Sequence, residues 1–353
     1  MSGSLRLTSF DQVELTDPFF DSLKAQYGEF TDWFERKSAA KEAVYVVNDD
    51  VESRIRGFVY LKLEEGVIDD VDPPLPAARR LKVGTLKNEA RGTKLGERII
   101  KKVFDHAFAE DVEEIYVTVF DTHIGLIRLF EKYGFVERAS KTTPNGQEIV
   151  LVRSLEQDGD NIITNYPLIN TEGSDFFLLS IYPEYHTKLF PDSILMTEGA
   201  HIVEDLSHTN TIHKVYIGGC PLTMMDEGDI VVIYRTTDIP KKAFHRSVVT
   251  SVCVVEETRT RSDFATEDGF IRYCSPHSVF SEDELKEFYR DKNKRVYVAK
   301  LLYNAALPKR PNRAKLLSDI GMTDPPRFDL RRISREEFDG IVEHGELNPR
   351  LVL

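Results

Sequence analysis

This 353-residue sequence predicts a mixed α/β (α+β) fold in two parts. A mostly antiparallel sheet flanked by helices comes first, and a second, small β-barrel follows. Three observations lead there. The first 155 residues alternate strand and helix signals. Polar "EQDGDNIITN" (Glu156 to Asn165) then breaks both patterns, as a linker does. The remainder offers many short strands separated by turns around a few helices, the pattern of a small barrel. The expected division is a first domain at residues 1–155, a linker at 156–173 and a second domain at 174–353.

Taken in order, "AVYVVND" (Ala43 to Asp49) and "IRGFVYLKLEE" (Ile55 to Glu65) read as strands. "GVIDDVDPPLPAA" reads as a loop because prolines and aspartates crowd it. Arg79 to Asn88 is a third strand. A helix follows, with Leu95, Ile99, Ile100, Val103, Phe104, Ala107 and Phe108 at helical spacing. Glu113 to Asp121 is rich in β-branched and aromatic residues and reads as a strand. The next helix starts from Thr122 as cap and stops at Gly134. "QEIVLVRSL" closes the segment as a strand. In the second half, "HKVYIGG", "GDIVVIYRTT", "RSVVTSVCVVEETRTR" and "RVYVAKLLY" read as strands. Ser281 with Glu284, and Ser334 with Glu337, have the spacing of helix capping boxes.

The net charge of -13 is spread over both halves, -5 in residues 1–155 and -8 beyond them. Neither half is suited to coating nucleic acid non-specifically. Local basic islands remain, at Lys309 to Lys315, at Arg327 to Arg335, and at Lys241, Lys242, His245 and Arg246. Cys220, Cys253 and Cys274 are too scattered for a disulfide framework or a metal knuckle, so a cytoplasmic, reducing setting is expected. His201, His208 and His213 fit no tetrahedral zinc spacing, and no metal site is expected. No apolar run has the length of a membrane span, and the N-terminus carries no secretory signal pattern.

The stretch "NEARGTKLGERII" joins the third strand to its helix. Gly92 and Gly96 permit close approach, Arg91 and Lys94 add charge, and the helix start adds a partial positive charge. That suits a pyrophosphate cradle, and equally suits a solvated surface loop. Arg91-Gly92-Thr93-Lys94-Leu95-Gly96 resembles the Arg/Gln-x-x-Gly-x-Gly/Ala signature of the GNAT acetyltransferase superfamily, with Lys94 in place of the first glycine. Downstream, His123 to Phe135 resembles the family's Asn-x-x-Ala-x-x-Leu-Tyr-Glu-Lys-x-Gly-Phe, ending in "EKYGF". The resemblance covers about Leu5 to Leu155.

The resemblance implies acetyl-CoA as donor and an amine as acceptor, with the amine attacking the thioester directly. It implies that Thr85, Leu86 and Lys87 polarise the thioester and pair with pantetheine. Arg91, Gly92, Thr93, Lys94, Leu95 and Gly96 would hold the pyrophosphate. The family's general-acid tyrosine is Phe130 here, a position that also lies against the cofactor. His123 and Tyr133 share or adjoin its helix face and are the candidate acids, unless the thiolate leaves without one. For the base, Glu89, Asp69, Asp70 and Asp72 all stand near the third strand.

From about Ser174 the chain resembles the PUA-like group, which includes ASCH and EVE domains. Gly228-Asp229 would make a turn before a strand ending in Tyr234-Arg235. That group implies RNA or modified-base binding by stacking and a few basic residues. Lys214, Tyr234, Arg235, Lys241, Lys242 and Arg246 are the candidate contacts. The joint expectation is an N-acetyltransferase whose acceptor amine lies on RNA or aminoacyl-tRNA. The alternative is a non-catalytic CoA-binding or adaptor protein with an RNA-binding module.

Overall fold

β-Branched and aromatic runs build two sheets in this protein. The computed structural model describes residues 5–48, 54–89, 94–156, 159, 161–191, 211–237, 239, 241–324 and 328–353. The chain divides into unit 1, Met1–Gly159, and unit 2, Asp160–Leu353.

Unit 1 holds strands β1 (Leu5–Ser9), β2 (Ala43–Asn48), β3 (Ile55–Ile68), β4 (Leu75–Asn88), β5 (Glu114–Phe120), β6 (Val136–Thr143) and β7 (Gly146–Ser154). They lie in the order β1-β2-β3-β4-β5-β7-β6. Every neighbouring pair is antiparallel except β4 and β5. The helices are α1 (Asp21–Gln26), α2 (Phe30–Ala39), α3 (Leu95–Ala109) and α4 (Ile124–Lys132). α3 is the crossover that a parallel pair requires. It buries the seven apolar residues whose spacing predicts it, each large side chain contributing roughly 1.5–3 kcal/mol.

Two features of unit 1 depart from the sequence reading. β1, α1 and α2 occupy the first 40 residues, where no element is expected. They close over β2 and β3 through Phe10, Phe20, Phe30, Phe34 and Phe58, whose rings meet at 5.0–6.3 Å. The expected long loop at 66–78 is also shorter, because β3 runs to Ile68 and β4 begins at Leu75. A register shift at Gly66, which has φ +100°, absorbs the irregular sequence.

Unit 2 holds β8 (Phe176–Ile181), β9 (His213–Gly218), β10 (Ile230–Arg235), β11 (Val248–Thr260), β12 (Tyr297–Ala306) and β13 (Leu330–Ile333). Their order is β13-β8-β10-β11-β12-β9. This corrects the expected β-barrel. Among the described residues β13 pairs with β8 and β9 with β12, and the two edges do not meet, so the sheet is open. Closure needs a hydrogen-bonded partner for each edge strand, and β13, at four residues, is a short one. The helices are α5 (Pro183–Leu189), α6 (Ala243–Arg246), α7 (Glu267–Cys274), α8 (Glu282–Arg290), α9 (Arg313–Ser318) and α10 (Arg335–His344). Reciprocal capping boxes start α8 at Ser281 and Glu284, and α10 at Ser334 and Glu337. Among the described residues no helix is long and apolar enough to cross a membrane.

Candidate active site

β4 and β5 pair only from Arg80↔Glu114 to Val83↔Val117. Beyond that point they part. β4 keeps β3 on one side to Asn88, while its other edge loses its strand partner. A bulge at Gly84 marks the parting: Tyr60 pairs with Thr85 and Leu61 with Val83, so Gly84 is the extra residue. A Cβ at Gly84 would lie 2.8 Å from Tyr60 Cδ1, so the close approach of β3 needs glycine. The gap is a cleft of about 400 Å³, lined by Thr85 and Leu86 of β4, by Thr118 to Phe120 of β5, and by residues of α1, α2, β6 and β7.

The cleft is aromatic on one wall and charged on another. Tyr27 stacks on Phe120 at 5.4 Å, and Phe30 and Trp33 meet at 5.4 Å beside them. Two lysines face the cleft, and carboxylates outside it offset both. Lys141 is ion-paired with Asp70, and Lys82 lies 3.8 Å from Glu64. Burial holds the Lys82 ammonium below its usual range. Glu29 accepts from Asn145 Nδ2 at 3.0 and 3.2 Å. Glu148 of β7 is only 6% exposed and lines the cleft, and among the described residues its carboxylate has no hydrogen bond or ion pair. Burial, and then the charges of Glu148 and Glu29, push the Tyr27 hydroxyl up to about 12.

An open strand edge leading to the first turn of a crossover helix suits a ligand with an amide-bearing arm and a phosphate end. Residues 7–135 match the acetyltransferase (GNAT) family. This stretch is a GNAT acetyltransferase domain. No curated protein matches the chain. Among solved structures, ASCH from Zymomonas mobilis is similar at 13% identity, covering 48% of this chain and 94% of that one, with a TM-score of 0.33. Naa20 of Chaetomium thermophilum, in complex with a bisubstrate analogue, is similar at 16% identity over 42% and 86% of the two chains, with a TM-score of 0.31. The NatC complex bound to Gag peptide and CoA gives 15% identity over 43% and 98%, with a TM-score of 0.30.

Within the GNAT domain, the expected cofactor residues fall into groups. Thr85 and Leu86 line the cleft on the free edge of β4. The Lys87 side chain turns away, donating to the Phe19 carbonyl and pairing with Glu89 at 2.8 Å. Arg91, Gly92 and Thr93 lie outside the described residues. Lys94 stands at the residue preceding α3 without a side-chain capping hydrogen bond, and burial pushes its ammonium down to about 8, against the raising effect of Glu97. Leu95 is buried, and Gly96 lets α3 pack against Leu129 of α4, where a Cβ would meet Leu129 Cδ2 at 2.9 Å. Phe130 is fully buried against Phe135, at 4.8 Å.

The candidate proton carriers separate. His123 stands exposed at the start of α4, lines the cleft, and has Nε2 3.2 Å from Gln26 Nε2. Tyr133 is fully buried and does not line the cleft. Glu89 is held by Lys87 and does not line it either. Asp70 is held by Lys141, which lowers its carboxyl, and Asp72 is tied to Ser140 by two backbone hydrogen bonds of 2.8 Å. Sequence reading passed over Tyr27, Trp33 and Glu148. For Glu148 a signal existed: strand alternation puts it on one face with buried Val150 and Val152.

In unit 2 the six candidate contacts split in two. Lys214 is fully buried, its ammonium 5.1 Å from the Tyr303 ring and 5.8 Å from that of Phe190. Arg235 is buried too, and Tyr234 stacks on Phe328 at 5.2 Å. His186 is fully buried, 2.8 Å from the Thr250 hydroxyl. Burial, reinforced by Arg235 and Arg310, holds its imidazole well below the usual range. Lys241, Lys242 and Arg246 are instead exposed on and beside α6. In the other basic islands Lys309, Arg313, Arg331, Arg332 and Arg335 all pair with carboxylates, while Arg327 lies outside the described residues. His201 and His208 also lie outside them, and His213 is bound to Glu256 at 2.5 Å.

Proposed function

We propose that this chain is an acetyl-CoA-dependent N-acetyltransferase whose acceptor amine is carried on RNA or aminoacyl-tRNA recruited by unit 2. The observation that carries the first half is the split of β4 from β5 after Val83, which leaves Thr85 and Leu86 on a free edge. Those backbone groups would pair with the pantetheine amides, and the α3 start with Lys94 would meet the phosphates. Bound there, acetyl-CoA supplies an activated acetyl thioester. The chain's own groups orient it along β4, exclude water with the aromatic wall, and hold His123 at the cleft as a proton carrier.

The second half rests on the exposed Lys241, Lys242 and Arg246 on and beside α6. The adaptor reading has one observation in its favour: neither Phe130 nor Tyr133 presents a hydroxyl to the cleft. Full-length protein mixed with acetyl-CoA and total tRNA should release free thiol and yield acetylated RNA. CoA affinity without turnover on any amine class would favour the adaptor. No CoA affinity would sink both the phosphate-cradle reading and the transferase.

A further inference from the structure

β9 is an edge strand of unit 2, and two hydrogen bonds fix how its backbone faces. Tyr303 of β12 donates its amide to the Ile212 carbonyl at 2.8 Å, and Val215 donates outward to the His277 carbonyl at 2.8 Å. In an antiparallel pair every second residue turns its amide and carbonyl away from the partner strand. The register therefore points the amide and carbonyl of Ile217 outward, as at Val215. His277 covers Val215. Among the described residues nothing accepts from the amide of Ile217 or of Gly219. A cavity of about 400 Å³ lies against this open edge, walled by Gly218 and Gly219, with Phe288 of α8 and Val296 beside them. The Phe288 ring is held by Phe280 at 4.9 Å.

The charge on the wall is uneven. Lys294 is paired with Glu287 at 2.8 Å and with Asp291 at 3.7 Å. Arg295 is exposed, lines the same cavity, and among the described residues has no carboxylate partner. The place is remote from α6 within the sheet. Gly218, Tyr297 and Thr260 pair across one end of the strands, and Arg235 and Val248 across the other, where α6 joins β10 to β11.

We propose that the end of β9 is a docking site for the carboxyl terminus of an extended peptide whose last side chain is apolar. The peptide adds a short strand at Ile217, its last side chain enters the cavity against Phe288 and Val296, and its terminal carboxylate meets the Arg295 guanidinium and the Gly219 amide. Three features select this occupant. Strand addition uses the outward backbone groups that a nucleobase or a lipid chain would leave unpaired. The open edge is short, stopped by His277 on one side and by the end of β9 at Gly218 on the other, so a chain end fits it better than a strand running through. The free cation is an arginine, whose planar fork matches a carboxylate.

Full-length protein is applied to an array of octapeptides sorted by final residue, each made with a free and with an amidated carboxyl end. Peptides with a free carboxyl and a final Val, Leu, Ile or Phe should bind, and their amidated forms should bind about tenfold or more weakly, the scale of a hydrogen bond to a charged group. In fluorescence polarisation with the tightest array peptide, Arg295→Gln should bring the two forms to within about twofold. Phe288→Ala should weaken both forms alike. In hydrogen exchange, the amides of residues 213–219 should slow when the peptide binds. The proposal is overturned by an array without binders, by equal binding of free and amidated forms, or by a carboxyl preference that survives Arg295→Gln. Unchanged exchange at 213–219 with peptide bound, or displacement of the peptide by oligouridylate, would overturn it as well, the latter by giving the cavity to nucleic acid.

Discussion

Gly84 offers the sharpest test of how the cleft is built. Replacing it with alanine places a Cβ 2.8 Å from Tyr60 Cδ1 and 3.2 Å from Cε1. Tyr60 cannot swing away cheaply. It is 3% exposed, its ring contacts Phe10 at 5.4 Å and Trp33 at 5.6 Å, its hydroxyl donates to Glu42, and Lys37 lies over its face. Overpacking of this kind costs about 1–3 kcal/mol. With a urea m-value of about 2 kcal/mol/M, the midpoint should fall by roughly 0.5–1.5 M. A two-unit chain need not unfold in one step, but Trp33 belongs to unit 1 and follows that unit alone. Tyr60→Leu made together with Gly84→Ala should be more stable than the sum of the single changes, because it removes the clash. An unchanged midpoint, or strict additivity, would refute the claim that the bulge and Tyr60 are fitted to each other.

Other outcomes follow from the charges. Lys94 loses its proton near pH 8 in the folded protein, so CoA affinity should decline as pH rises through 8; calorimetry of Lys94→Ala should show about three- to tenfold weaker binding and no such decline. His186 is neutral in folded unit 2 and takes a proton more readily when unfolded. Unit 2 should therefore lose stability as pH falls below about 6.5, and His186→Gln should flatten that dependence in calorimetric melts. Changing Lys241, Lys242 and Arg246 together to alanine should weaken RNA binding and reduce the salt slope by roughly 0.7 for each phosphate no longer neutralised. An unchanged slope would show that the exposed group does not meet the backbone.

Local rules were legible in the sequence. α3 follows from seven spaced apolar residues, and both capping boxes from pairs three residues apart. What depends on distant pairing was not. The open edges of unit 2 are a matter of which strands meet, and alternation along β9 or β13 carries no record of that. The same holds for the cleft: Tyr27, Phe120 and Glu148 converge only because β7 inserts beside β5. Basic islands misled in the opposite sense. Arg331, Arg332 and Arg335 look like free charge in the sequence, yet each meets a carboxylate.

The free edge of β4 also has a cost. Unpaired strand edges are templates for other strands, and here one lies inside a sheet rather than at its border. A pantetheine arm that pairs with it would act as a missing strand. Unit 1 would then gain stability with donor concentration, about 2.7 kcal/mol at a hundred times the dissociation constant. Its survival against proteases would track the supply of acyl-CoA, and limited proteolysis with and without CoA reads that link directly. Equal cleavage rates at saturating CoA would break it.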